Sequence, residues 1–194
     1  MPPDRRGALG AGALGTLALL AACRSPPPVL YTILPTPGEA RRGGPRTVVV
    51  REVMVARYLD RLPIVRSAED YRLDVSSDDW WGEPLEGMLT RVLVENLAQR
   101  LPGASVYASE GAISAPADAT VAVNLRRLGM TGPAVLTLTA QVAIEYRDPR
   151  RRDVTRTESL TVPVQAGSDT RAFVAAASAA VGRLSDSIAA LLTG

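Results

Sequence analysis

The chain of 194 residues lacks histidine and lysine and contains a single cysteine, since all 22 of its basic residues are arginine. A Ser-His-Asp or Cys-His arrangement therefore cannot be built. The same absence excludes a Ser-Lys pair, a Schiff-base lysine, a P-loop lysine and an HExxH zinc site. Only carboxylate chemistry, such as glycoside hydrolysis by a pair of acids, is left for catalysis. We assign no catalytic residue and expect a binding or scaffolding protein rather than an enzyme.

The scarcity of cysteine and the small net charge exclude further classes of protein. One cysteine near the N-terminus leaves the rest of the chain without a disulfide or a thiolate metal site. The net charge of +2 is too small to imply a nucleic-acid partner. The sequence therefore predicts no metal, no cofactor and no nucleic acid.

The cysteine, Cys23, stands at the end of an N-terminal segment with the layout of a secretory signal. Arg5 and Arg6 precede an uncharged run over residues 8–20, which is shorter than the roughly 20 residues that span a bilayer. The tetrapeptide LAAC, which ends at Cys23, resembles the lipobox of bacterial lipoproteins, where the thiol receives a diacylglycerol and the preceding peptide bond is cut. A plain signal peptide, or a short helix with an incidental cysteine, is the alternative interpretation.

The resulting domain organisation has three parts. Residues 1–22 are a signal peptide that is removed, and residues 23–30 are a lipidated Cys23 with a proline-rich tether. Residues 31–194 form a single domain. The covalent acyl anchor is stable because two or three chains contribute about 0.8 kcal/mol per buried methylene.

The hydrophobic pattern of the domain predicts about six strands. Residues 47–58 begin with β-branched residues at nearly every position, which predicts a strand buried on both faces. Alternating strands at 135–146 and 153–164 flank the polar stretch 147–153 and predict an antiparallel hairpin. Other strands are expected at 31–37, 71–75, 105–108 and 119–128.

Two long helices complete the predicted α/β fold with a mixed sheet. The first carries an apolar stripe from Leu85 to Leu101, with Asp78 or Asp79 as its cap. The second follows Ser168 or Asp169 and continues almost to the C-terminus. Between the first two strands, the polar, glycine-rich residues 38–46 predict a mobile loop.

The stretches YTILP, VARYLDRLPIVRS and DDWWGEPLEGMLTRVLVENLAQRLP, together with the lipobox, resemble the ABC-type transport auxiliary lipoproteins, the PqiC-like family of MCE-type intermembrane transport systems. The resemblance implies a three-layer domain like the anticodon-binding domains, anchored in the outer membrane and facing the periplasm. Arg24, rather than Asp, after the cysteine also favours the outer membrane. The implied partners are an MCE-domain (PqiB-like) protein and inner-membrane transport components. The family offers no active-site signature to carry over.

Six residues are candidates for partner binding. The adjacent pair Trp80 and Trp81 cannot point into one core, so we expect one to be buried and the other to reach a partner or lipid headgroups. A second group follows a buried strand, where binding loops tend to lie. It consists of Arg57, Tyr58, Asp60 and Arg61. The alternative interpretation is that Asp60 pairs with an arginine and that this loop merely packs.

The function favoured by these observations is that of an auxiliary lipoprotein that docks or positions the MCE-domain protein. The alternatives are an envelope hydrolase that acts on peptidoglycan through acidic residues, or a structural envelope lipoprotein. For the hydrolase the only dense acidic cluster is Asp78, Asp79, Glu83 and Glu86, although acids are also favoured at a helix start. The oligomeric state stays open, and a homo-oligomer is one alternative.

Overall fold

The structure is a computed structural model and describes residues 26–112 and 115–194. The predicted signal peptide and Cys23 lie outside the described residues. The strands are β1 (Val29–Tyr31), β2 (Thr47–Val50), β3 (Met54–Val55), β4 (Pro63–Glu69), β5 (Arg72–Trp81), β6 (Ser105–Ala108), β7 (Ala119–Met130), β8 (Val135–Tyr146) and β9 (Val154–Pro163). The helices are α1 (Leu85–Arg100) and α2 (Thr170–Thr193).

Strand β7 is the centre of one mixed sheet. Along one edge it pairs with β8 in antiparallel fashion, and β8 pairs in turn with β9, which confirms the predicted hairpin. Along its other edge β7 pairs with three short parallel strands in succession, β2 at its start, β3 in the middle and β4 at its end. Strand β6 continues the sheet beyond β2, while β5 and then β1 continue it beyond β4.

Both helices cover the same face of this sheet. The neighbouring residues Val50, Val121 and Ile144 lie in register on β2, β7 and β8, and all three are buried. Helix α1 packs over β2, β3 and β6, α2 packs over β7, β8 and β9, and the helices pack against each other. The mixed α/β class with two long helices is therefore confirmed. Among the described residues the sheet has nine strands rather than about six, and it forms two layers with the helices where the resemblance implied three.

The segment predicted as one strand over residues 47–58 is divided into β2 and β3. Burial alternates along β2, since Val48 and Val50 are buried whereas Val49 is half-buried. The prediction of burial on both faces was wrong because the face opposite the helices is open to solvent. Between the two strands, the N–H of Val53 turns away from the sheet and donates to Oγ1 of Thr90 on α1, at 2.9 Å.

Helix α1 begins at Leu85, later than the predicted caps Asp78 and Asp79 would place it. Those two residues belong to β5, because β1 pairs with the stretch from Asp79 to Trp81 and holds it extended. Pro84 occupies the cap position and makes no side-chain bond to the helix. Proline is tolerated there, since its missing N–H would have no partner in the first turn.

Helix α2 is capped as the sequence predicted. The side chain of Asp169 accepts a hydrogen bond from the N–H of Ala172 at 2.9 Å. In the part of the chain that the structure describes, this helix alone is long and apolar enough to cross a membrane by length and composition. About 61% of its most apolar window is buried in the molecule, which is typical of the core helix of a globular domain.

Candidate functional site

The candidate residues 57–61 form a tight turn between β3 and β4. The N–H of Leu59 donates to the carbonyl of Ala56 at 2.8 Å, and the N–H of Asp60 donates to that of Arg57 at 3.3 Å. Leu59 is buried and fixes the turn to the core. Because Leu59 points inward, Arg57, Asp60 and Arg61 project into solvent.

Tyr58 joins this turn to the central strand. Its hydroxyl donates to the carbonyl of Arg126 on β7 at 3.3 Å, and its ring is half-buried. Burial raises the pKa of Tyr58, and the charge of Arg127 opposes this only in part. The phenol therefore stays a neutral hydrogen-bond donor held in one position.

The charged side chains of the turn form no ion pairs within the described residues. Asp60, Arg57 and Arg61 do not take part in any of the ion pairs found in residues 26–112 and 115–194. The interpretation in which Asp60 is paired with an arginine is thus not what the structure shows. Two guanidinium groups and one carboxylate leave the turn with one excess positive charge toward solvent.

The two tryptophans separate as the sequence predicted. Trp81 is only 3% exposed and belongs to the core. Trp80 points to the opposite face of the sheet and is half-buried, and its indole N–H donates to the carbonyl of Ser77 at 3.2 Å. Trp80 is thus the member of the pair that can contact a partner.

The structure brings the turn and Trp80 together. The N–H of Trp81 donates to the carbonyl of Leu62 at 2.7 Å, and Pro63 lies opposite Trp80 in the β4–β5 pair. On the other side of Trp80 its partner in register is Leu30 of β1. Leu30 is 63% exposed and Leu62 41% exposed, so both add apolar surface that the sequence did not assign to the site. We call this surface the docking patch, which consists of Leu30, Arg57, Tyr58, Asp60, Arg61, Leu62 and Trp80.

The acidic cluster does not converge on one catalytic point. Glu83 forms an exposed ion pair with Arg91 at 2.9 Å, and Glu86 accepts the backbone N–H of Val55 at 3.2 Å. Asp78 accepts the hydroxyl of its neighbour Ser77 at 2.7 Å. These carboxylates have local structural partners, and nothing in their arrangement favours hydrolysis.

The fourth carboxylate, Asp79, joins β5 to the start of α2. It accepts hydrogen bonds from the hydroxyls of Thr170 and Ser76. The bond from Thr170 is the main cause that lowers the pKa of Asp79, and partial burial opposes it. Nearby Tyr31 has a raised pKa, first because of desolvation and second because of the charge of Asp79. Asp79 is therefore ionised at neutral pH, which is unsuitable for a general acid.

A buried arginine that sequence reasoning missed holds the segment before β2 against both helices. Arg100 is 1% exposed, and its Nε donates to Asp186 of α2 at 2.6 Å. Its terminal nitrogens donate to the carbonyls of Asn96, Gly182 and Thr36, each at 3.1 Å. A further backbone bond at 2.7 Å runs from Arg41 to the carbonyl of Arg100.

Residues 38–46, which were expected to be a mobile loop, form no helix or strand, and two contacts tie their first part to Arg100: the close approach of Gly38 and the backbone bond from Arg41. A Cβ added to Gly38 would lie 2.2 Å from the Cζ atom of Arg100, so a larger residue there would have to displace the buried guanidinium from its hydrogen bonds. We call residues 32–41 the strap, since they run along both helices. The signal that could have revealed it is the pair Asn96 and Arg100, two polar residues four apart on the largely apolar stripe of α1.

Comparison with known proteins shows the family. The model of the ABC-type transport auxiliary lipoprotein component matches residues 31–189, so the chain belongs to this family. The family is one of transport auxiliary lipoproteins rather than a known enzyme family, and it associates the chain with a transport system of the cell envelope. No match is found among curated proteins.

Solved structures share the fold. A crystal structure of an uncharacterized protein superposes with a TM-score of 0.72 at 18% identity and covers 87% of this chain and 100% of its own. A Xanthomonas campestris protein of the DUF330 family gives a TM-score of 0.61 at 19% identity and covers 82% of this chain and 92% of its own. At these identities the likeness shows the fold alone.

Proposed function

We propose that this auxiliary lipoprotein is anchored in the outer membrane through Cys23 and docks an MCE-domain (PqiB-like) protein in the periplasm. Membership of the transport auxiliary family supports a non-catalytic role in a transport assembly. The MCE-domain protein in turn works with inner-membrane transport components. The auxiliary lipoprotein acts by holding the partner at a defined position beside the membrane.

The docking patch is the observation that carries this proposal. It combines two arginines, a tyrosine and a tryptophan with two exposed leucines, and aromatic and arginine side chains are enriched at the centres of interfaces. The turn is held by backbone bonds and by Leu59, so its side chains are presented with little loss of conformational freedom on binding.

The position of the patch relative to the anchor supports the same function. Leu30 belongs to β1, whose first two residues, Val29 and Leu30, are also the last two residues of the predicted proline-rich tether. Five residues lie between Cys23 and Val29, so the extended chain that joins them reaches at most about 20 Å. A partner seated on the patch would therefore be held near the membrane surface that carries the acyl chains.

Alanine substitutions of patch residues test the proposal. We expect Trp80→Ala, Tyr58→Ala and Arg61→Ala each to weaken binding of the MCE-domain protein, and truncation of an interface anchor costs about 2 kcal/mol or more, a 30-fold loss. Affinity is measured by pulldown and by titration with the purified lipoprotein, and thermal melts of every variant report stability.

Two controls separate binding from folding. Arg72→Ala removes an exposed arginine at the far end of β5 and should leave both affinity and melting temperature unchanged. Trp81→Ala truncates a core residue and should lower the melting temperature. The proposal is wrong if the patch variants bind like the unchanged protein, or if their affinity falls only in step with their stability.

A further inference from the structure

Strand β9 presents a long free edge. Its ten residues pair with β8 over Val154–Pro163 without a register shift, and no strand of the described part of the chain pairs with its other side. Natural proteins usually block such edges with bulges, prolines or inward-pointing charges, because the free N–H and C=O groups bind further strands. In β9 the only proline is the last residue, and the charged residues Arg156 and Glu158 occupy even positions on the helix side of the sheet, where Arg156 is exposed and Glu158 half-buried.

The hydrogen bonds of the neighbouring residues define which groups face outward. The N–H of Val164 donates to Ala134 beside β8, so even-numbered residues point their backbone groups toward β8. The carbonyl of Thr161 accepts the guanidinium of Arg183 instead, so odd-numbered residues point outward. The free backbone donors and acceptors therefore belong to Thr155, Thr157 and Ser159.

We propose that β9 pairs in antiparallel fashion with β9 of a second copy of this chain, about a two-fold axis that passes through Thr157. Hydrogen-bonded and non-bonded pairs alternate along an antiparallel pair, so the outward-pointing odd-numbered residues of one copy must lie opposite odd-numbered residues of the other. The numbers of two opposed residues therefore add up to an even number in a two-fold symmetric pair. The axis must therefore coincide with a residue. Each copy contributes the same seven-residue stretch, from Val154 to Leu160.

The charges of the strand select this register. With the axis at Thr157, Arg156 of each copy lies opposite Glu158 of the other, in the non-bonded pairs where side chains are closest. An axis at Arg156 or Glu158 would place like charges opposite each other. An axis at Thr155 or Ser159 would place Arg156 opposite a valine. Opposite-charge pairs stabilise a strand pair, whereas like charges destabilise it.

The same register satisfies the outward backbone groups. The backbone of Thr157 pairs with that of Thr157 in the second copy, and Thr155 of each copy pairs with Ser159 of the other. Each of these three pairs exchanges two backbone hydrogen bonds. The side chains of Thr155 and Ser159 meet on the open face of the sheet, where hydroxyl pairs contribute further. The carbonyl of Thr161, which lies just beyond the paired stretch, already accepts a hydrogen bond from the guanidinium of Arg183.

A single introduced cysteine tests the pairing in the full chain. Cys23 is the only native cysteine and is predicted to be lipidated, so Thr157→Cys would supply the one free thiol. Residues opposed at the axis have Cα atoms about 5.5 Å apart, within disulfide range. Thr157→Cys should give a covalent dimer on non-reducing gels of oxidised cells. Thr161→Cys is exposed on the same face, but its two copies would lie about 27 Å apart and should stay monomeric.

Charge substitutions then test the register. In the detergent-purified full chain, Arg156→Glu or Glu158→Arg should weaken the dimer about tenfold, because each creates two like-charge pairs. The double variant restores both opposite-charge pairs and should dimerise like the unchanged protein. Circular dichroism checks that each variant is folded. A monomeric unchanged protein, equal crosslinking at residue 161, or single charge variants that dimerise normally would each overturn the proposal.

Discussion

Arg100 shows how a charge can be buried at a structural position. Removing a guanidinium from water is costly unless its donors are satisfied, and here they bond Asp186 and four backbone carbonyls, which include that of Pro37 at 3.4 Å. The carbonyls come from both helices and from the strap. The side chain is thus a crosslink between three segments that are distant in the sequence.

Substitution of Arg100 should therefore loosen the strap. We expect Arg100→Leu to lower the free energy of unfolding by about 3 kcal/mol, because it leaves buried carbonyls without donors and Asp186 without its partner. Urea denaturation measures the change. Arg91→Leu on the same helix removes two exposed ion pairs and one exposed 3.4 Å hydrogen bond to the hydroxyl of Thr32, and should cost less than about 1 kcal/mol. Equal effects of the two substitutions would contradict the role given to Arg100.

Part of the candidate site could be predicted residue by residue. Two adjacent tryptophans must diverge, and the sequence therefore predicted one buried and one available, which are Trp81 and Trp80. The leucines of the patch could not be predicted in the same way. Leu30 and Leu62 belong to the patch because strand pairing places them beside Trp80, and an isolated leucine in a sequence has no such signal.

At the scale of elements, the departures from prediction have one cause, since contacts between distant segments override local preference. The segment over residues 47–58 has strong β propensity, yet α1 interrupts it with two side chains, Thr90 and Glu86, which accept the N–H groups of Val53 and Val55. No local pattern contains that information. The two helices and the β8–β9 hairpin were predicted well, because each has a continuous apolar face that is visible in its own hydrophobic pattern.

The junction between β5 and α2 should depend on pH. The pKa of Asp79 is lowered in the folded protein by the hydroxyl of Thr170, so its charge stabilises the fold. This stabilisation is complete above the ordinary pKa of 3.8 and is lost as the pH falls through the lower folded-state pKa. Asp79→Asn should therefore lower the melting temperature at neutral pH, and the difference should vanish in strong acid.

The neighbouring residue provides the control for this pH effect. Asp78 is exposed and bonds only the hydroxyl of Ser77, so Asp78→Asn should leave the melting temperature unchanged at neutral pH. The account of the junction fails if the effect of Asp79→Asn persists undiminished in strong acid, or if both substitutions act alike.

For the whole molecule, the anchor and the domain are predicted to be separable. Cys23→Ser should abolish incorporation of radioactive palmitate and release the protein from membranes in fractionated cells. It should leave the melting temperature unchanged, because the described core begins after the tether. Acyl labelling of the variant at the level of the unchanged protein would refute lipidation at this cysteine.

The most direct test of docking is site-specific photocrosslinking in living cells. A photoreactive amino acid is placed at Trp80, at Arg61 or, as the control, at the exposed hairpin residue Arg72. Docking through the patch predicts an adduct with the MCE-domain protein from the first two positions and none from Arg72. The account is contradicted by the absence of any adduct at Trp80 and Arg61, or by equal yield from all three positions.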